Sequence, residues 1–206
     1  MFGDVGTNPF GFKEIEFQKC CNINPAKPNL SLDVNVTFLP MELIGTDGTI
    51  KTTMIKPYKE LKHTGYTYFE DNDVIFAKIT PCMENGKGAI AINLENGIGF
   101  GSTEYHILRP EYGISNSYWI YYLTADSKFR ENAAKSMTGA SGHRRVSEDY
   151  IKKYIVSLPP INLQNEFADY AKTCDKLKFE AHSYQQSYKG LIWGNAFLYS
   201  FGLFVM

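Results

Sequence analysis

The chain is poor in the residues that catalytic and metal centres concentrate. Its four cysteines, Cys20, Cys21, Cys82 and Cys174, form no CxxC pair and fit no Cys/His zinc spacing, so no metal is expected. Free thiols of this kind suit a reducing compartment, and a cytoplasmic location is the expectation. The four histidines, His63, His106, His143 and His182, pair with no serine or cysteine as a nucleophilic triad would require. The one Pro-Pro, in SLPPIN, lacks the acidic or asparagine lead and aromatic follower of an adenine-methyltransferase signature. GIGFGS has the wrong spacing for a phosphate-cradling glycine loop and leads into a strand. Asp73, Glu84 and Lys87 miss a nuclease spacing by one residue. Together these absences point away from an enzyme and from a bound cofactor: any chemistry belongs to a partner.

Two further things are missing. No charge of one sign dominates, since 21 Lys+Arg stand against 22 Asp+Glu, which opposes a globally basic nucleic-acid binder. No apolar run is long enough to span a bilayer. LIWGNAFLYSFGLFVM at 191–206 is shorter than the ~20 residues a spanning helix needs and is broken by glycine. It is expected to be a packed tail, with no membrane contact. MFGDVGTNPF has neither a cationic start nor an apolar core, so no signal peptide is expected.

What is present describes a folded, strand-rich chain. Hydrophobic residues make up 44%, and fourteen Tyr and fourteen Phe accompany only two Trp, a bias toward β-structure. Segment 12–23 predicts a short strand or helical turn. Segment 33–44 alternates Val34, Val36 and Phe38 as a half-buried strand does. Asp47-Gly48 is a hairpin cue. Further strands are predicted at 65–70, 73–79, 88–94 and 103–110, with glycine-rich connections at 85–88 and 96–102. Residues 115–137 predict one helix capped by Ser115 or Ser117. A second, short helix starts at Ser147, with Glu148 and Asp149 in its first turn and Lys152 and Lys153 in its last. A strand then ends at Pro159-Pro160.

The final segment carries the most regular pattern. Leu163, Phe167, Tyr170, Cys174, Leu177, Ala181, Tyr184, Tyr188 and Leu191 are spaced alternately four and three apart. This is a heptad seam, and an ordinary amphipathic helix would drift off it. At 1.5 Å per residue the seam is about 42 Å long, which implies a partner helix. The expected organisation is therefore α+β: a mostly-β domain with short helices over 1–160, then a coiled-coil-forming helical arm over 161–206.

Charge gathers locally. Between Lys128 and Lys153 lie seven cations and three anions, and within them sits the loop MTGASGHRR. Gly139 and Gly142 let its backbone approach a ligand closely.

These landmarks, in order, resemble the specificity subunit of type I restriction–modification systems, specifically one target-recognition domain with its conserved spacer helix. NPFGFKEIEF and INPAKPN look like the opening of such a domain, VTFLPMELI like its first strand, and DVIFAKITPCMENGKGAI like its central strands and loop. GFGSTEYHILRP resembles the segment running to an "LRP" strand end. MTGASGHRRVSEDYIKKYIVSLPPINLQNEF resembles the closing signature leading into the spacer helix. The resemblance covers roughly residues 8 to 195; the apolar tail after Leu191 departs from it. It implies a non-catalytic module that reads one half of a split double-stranded DNA target. It also implies docking of a modification methyltransferase and a restriction/translocase subunit, and pairing through the arm with itself or a second specificity half. The rival class is a coiled-coil assembly protein without DNA readout.

On that reading, Thr138, Ser141, His143, Arg144 and Arg145 supply hydroxyl, imidazole and guanidinium donors to phosphates or base edges. One of the adjacent arginines is expected on DNA. The other is expected to be structural, paired with Glu148 or Asp149. Lys78, Thr80, Asn85 and Lys87 form a second candidate loop, and Ser102 and Thr103 a third. Glu104 is expected to satisfy buried donors.

Overall fold

The protein is described by a computed structural model covering residue 2, residues 7–178 and residue 180. It is mixed α/β. Two four-stranded sheets pack face to face between helices. The first sheet orders β2 (Cys21–Ile23), β9 (Tyr105–Pro110), β6 (Val74–Ala77) and β7 (Gly88–Ile90). The second orders β4 (Met54–Pro57), β3 (Asn35–Leu39), β8 (Ile98–Gly101) and β5 (Thr67–Glu70). A separate ribbon pairs β1 (Lys13–Glu16) with β10 (Ile155–Leu158).

Side-chain alternation assigns the layers. In β6, Val74 and Phe76 pack under α2 (Ser117–Ala125), α3 (Ser127–Ser136) and α4 (Glu148–Lys153), alongside Trp119, Ile120, Phe129 and Ile151. Ile75, one residue away, points to the other face of the pleat and joins Leu39, Phe69 and Tyr105 between the sheets. In β3, Val36 and Phe38 turn outward onto Tyr58 and Leu61 of α1 (Tyr58–Leu61). The predicted alternation of Val36 and Phe38 is present, but Thr37 and Leu39 are buried as well, because the strand is covered on both faces.

Several expectations need correction. The connection predicted at 96–102 contains β8, which sits inside the second sheet between β3 and β5. Its alternate residues are glycines, and neighbouring rings occupy their faces. A Cβ on Gly99 would lie 2.0 Å from the Phe69 ring, and one on Gly101 would lie 2.3 Å from the Leu39 carbonyl oxygen. The single helix predicted over 115–137 is two helices. Asp126 takes an extended backbone, ends α2, and accepts from the amides of Lys128 and Phe129 to cap α3. The cap of α2 is Asn116. Ser115 and Ser117 are buried instead and donate to the carbonyls of Cys20 and Asn72. Asp47-Gly48 does not join two long strands. It closes a tight loop between bridge partners Ile44 and Ile50, inside the longer β3–β4 connection. Ser147 does cap α4, accepting from Tyr150 N.

A helix, α5, follows over residues 161–178. Two compact units are distinguished, the first ending at Phe167. Within the first, Gln164 is fully buried. Its Oε1 accepts from Asn116 N at 2.9 Å, and its Nε2 donates to Ile114 O at 3.0 Å and Pro159 O at 2.8 Å. One side chain thus fastens the start of α5 to the start of α2. Gln164→Leu leaves a buried amide and two carbonyls unpaired, and it should cost about 1–3 kcal/mol. A urea titration with an unchanged slope and a lower midpoint would register the loss; an unmoved midpoint would contradict it.

In the second unit Tyr170, Cys174 and Leu177 of the seam are exposed. Ala181, Tyr184, Tyr188 and Leu191, and the tail 191–206, lie outside the described residues. Among the described residues no helix is long and apolar enough to cross a membrane.

Candidate nucleic-acid interface

The three loops singled out by residue type converge at one place. The β6–β7 loop (78–87), the α3–α4 loop (137–147) and the short β8–β9 loop (102–104) are stitched together by main-chain hydrogen bonds. Lys78 N donates to Glu104 O at 3.0 Å, Val146 N to Lys78 O at 2.9 Å, and Thr80 N to Arg144 O at 3.0 Å. Arg145 and Thr138 exchange both of their backbone bonds, at 2.8 and 3.1 Å. Gly139 makes that hairpin possible. Its φ is +122°, and a Cβ there would lie 2.9 Å from the His143 carbonyl oxygen.

The two adjacent arginines diverge. Arg145 forms a fork on Glu104, with Nε to Oε2 at 2.9 Å and Nη2 to Oε1 at 2.7 Å, while Nη1 donates to His143 O at 2.9 Å. The hydrogen bond from Arg145 holds the Glu104 carboxyl below its usual range. The structural partner is therefore Glu104, where Glu148 or Asp149 was expected. Glu148 instead accepts from Asn24 Nδ2 and pairs with Lys152. Arg144 reaches outward and meets Glu84 through a single contact of 3.2 Å.

The remaining candidates sort by exposure. Asn85, Thr103, Thr138, Ser141 and His143 are exposed. Lys78, Thr80, Lys87 and Ser102 are half-buried, and the side chains of the last three are engaged internally. Lys87 Nζ donates to Met41 O at 2.9 Å, Thr80 Oγ1 to Met137 Sδ at 3.8 Å, and Ser102 Oγ accepts from Glu104 N at 3.2 Å. Burial lowers the pKa of Lys78. The local cation excess is smaller than the sequence implies, because Arg130 is only 7% exposed.

Behind the loops lies a polar support absent from the sequence reading. His106 is buried, with Nε2 2.9 Å from Val146 O and Nδ1 3.1 Å from Asn24 Nδ2. A neutral ring donating from Nε2 satisfies both contacts, and burial lowers its pKa in agreement. Asn24 Oδ1 accepts from Ile107 N and its Nδ2 donates to Glu148, so β9, α4 and the loop base share one network. Glu84, the partner of Arg144, was weighed in the sequence only as part of a nuclease spacing and not as a partner of an arginine; an acidic residue in a loop otherwise read for cations was the available signal.

Fold and site together define a domain that presents clustered polar loops from a two-sheet scaffold. A family profile described as the Type I restriction modification DNA specificity domain matches residues 14–187, and the chain belongs to that family. It is 32% identical over 190 residues to the type I restriction enzyme EcoAI specificity subunit of Escherichia coli. That match covers 89% of this chain and 32% of the relative. To the EcoEI specificity subunit of Escherichia coli it is 33% identical over 180 residues, covering 86% of this chain and 30% of that subunit. The chain thus spans about a third of the length of these curated relatives. Its fold is similar to the HsdS subunit from Thermoanaerobacter tengcongensis, with TM-score 0.65 at 15% identity over 84% of this chain and 44% of that one. A chain from a structure of the type I R-M system gives TM-score 0.61 at 16% identity, over 82% of this chain and 44% of that one.

Proposed function

We propose that this chain is a DNA-reading module without catalysis, cofactor or metal of its own, and that the surface formed by loops 78–87, 102–104 and 137–147 meets one half of a split duplex target. The observation that carries the reading is the unequal treatment of two neighbouring arginines. Arg145 is committed to Glu104 by a fork, so it shapes the loop. Arg144 is held by one half-exposed contact to Glu84. Such a pair is worth at most about 1 kcal/mol, so a phosphate or a guanine edge can take its place at little cost. Exposed Asn85, Thr138, Ser141 and His143 add donors around it. The helical seam would set the distance to the second half-site, pairing with another copy or a second specificity half, and the assembled unit would dock methyltransferase and restriction/translocase subunits. The seam's exposed Tyr170, Cys174 and Leu177 support the pairing.

The test is a mobility-shift titration on a duplex carrying the site mapped from methylation in cells with the intact locus. Arg144→Ala should weaken binding about tenfold and reduce the slope of log K against log salt by about one. Arg145→Ala should weaken it further by loosening the loop. If neither substitution weakens binding, the loop assignment is wrong.

A further inference from the structure

Resting on that recognition reading, we propose that Arg130 is the positioning residue of the reading loop: from inside α3 it fixes where Glu84 and Asn85 stand, without touching DNA itself.

The side chain is unusual. It is 7% exposed, yet among the described residues no carboxylate pairs with it. Its Nη1 donates to Met83 O at 2.6 Å and its Nη2 to Gly86 O at 3.2 Å, with a long third contact from Nε to Ala125 O at 3.4 Å. The guanidinium lies over the Phe76 ring, 5.7 Å from its centroid. Burying a cation with no counter-charge is costly, and an apolar side chain of similar volume would serve stability better. The arrangement therefore asks for a reason beyond packing.

The two carbonyls gripped by the terminal nitrogens belong to Met83 and Gly86, and they bracket Glu84 and Asn85. Those two are the exposed residues of the turn, one holding Arg144 and the other offering an amide to a base edge. The turn is tied at other points too, by Asn85 N to Pro81 O and Lys87 N to Cys82 O, both at 2.9 Å. Its outgoing half is pinned to the α3–α4 loop by Lys78 and Thr80. Arg130 pins the returning half from below. A planar fork fixes both distance and orientation, which a flexible ammonium does not.

The experiment uses the full chain, a randomised duplex pool and successive rounds of enrichment, followed by titration of the enriched duplex and of an unselected one. Arg130→Met and Arg130→Lys are compared with wild type and with Asn85→Ala, and folding is checked by thermal unfolding. In folded Arg130→Met, affinity for the enriched duplex should fall roughly tenfold. Affinity for the unselected duplex and the salt slope should stay unchanged. The lost discrimination should fall at the same base pairs as in Asn85→Ala. Should the methionine variant fail to fold, Arg130→Lys keeps the charge and loses the fork, and it is read by the same criteria. A salt slope lowered by about one unit would mean that Arg130 reaches a phosphate, which overturns the positioning role. Full retention of the enriched-duplex preference in a folded variant overturns it too. A wild-type chain that enriches no motif overturns the recognition reading itself, and this inference with it.

Discussion

Asp73→Ala is expected to lower the free energy of unfolding by about 3 kcal/mol, read as a lower urea midpoint. Asp73 immediately precedes β6 and is 1% exposed. Its two oxygens receive Arg109 Nε and Nη2, each at 2.8 Å, and Oδ2 also accepts from Glu70 N at 2.8 Å. Arg109, next to last in β9, reaches Glu70 of β5 at 3.0 Å and lies over the Tyr68 ring. The cluster therefore fastens the first sheet to the second. Removing the carboxylate strands a partly buried guanidinium and a backbone amide. Donation to the Asp73 carboxylate is also the main reason that Arg109 holds its proton more tightly than an ordinary arginine. The cost sits at the lower end of the range for broken buried pairs because Glu70 remains. The paired change Asp73→Val with Arg109→Met should cost less than Asp73→Ala alone, since neither partner is then left unmatched. A double variant less stable than the single one would show that the cluster contributes through more than its charge pairing.

Gly101→Ala should be comparably severe, about 3 kcal/mol, or abolish folding, as overpacking at a fixed backbone does. The added Cβ would meet the Leu39 carbonyl oxygen at 2.3 Å and the Tyr105 ring at 2.6 Å. Main chain cannot step aside there, because β3 and β8 pair in parallel at that register, with Leu39 opposite Gly101. Gly99→Ala meets a side chain instead, the Phe69 ring directly across the β5–β8 ladder. Shortening that ring with Phe69→Leu should recover part of the loss from Gly99→Ala, whereas Tyr105→Leu should recover little of the loss from Gly101→Ala. Equal recovery in the two pairs would contradict the distinction. Unfolding midpoints for the four variants decide it.

These positions also show where sequence reading stops. Val36 and Phe38 announce a strand by their period of two, and Ser147 announces a helix start, because both signals are local. β8 announces nothing. Ile-Gly-Phe-Gly reads as a flexible connection, since the groups that fill its glycine faces come from Phe69 and Tyr105 on other strands. The break at Asp126 was hidden for a related reason. The apolar residues on either side keep nearly helical spacing, and only the backbone shows that the aspartate faces forward as a cap. At the candidate interface the residue types were legible in glycines, hydroxyls and paired arginines. Their partners were not. Lys87 is one of the candidate contacts, and only the fold shows that its amine donates to Met41 O.

The amino-acid order alone therefore carried the period of two at Val36 and Phe38, the helix start at Ser147, and the ordered landmarks of the family. Tertiary structure decided which strands pair, why the glycines of β8 are required, and which arginine is engaged. A guanidinium binds the carboxylate that the fold brings to it in the right orientation. For Arg145 that is Glu104, 41 residues away in the chain; for Arg144 it is Glu84, 60 residues away. Distances of that kind are set by sheet register and layer packing, which no run of neighbouring residues encodes.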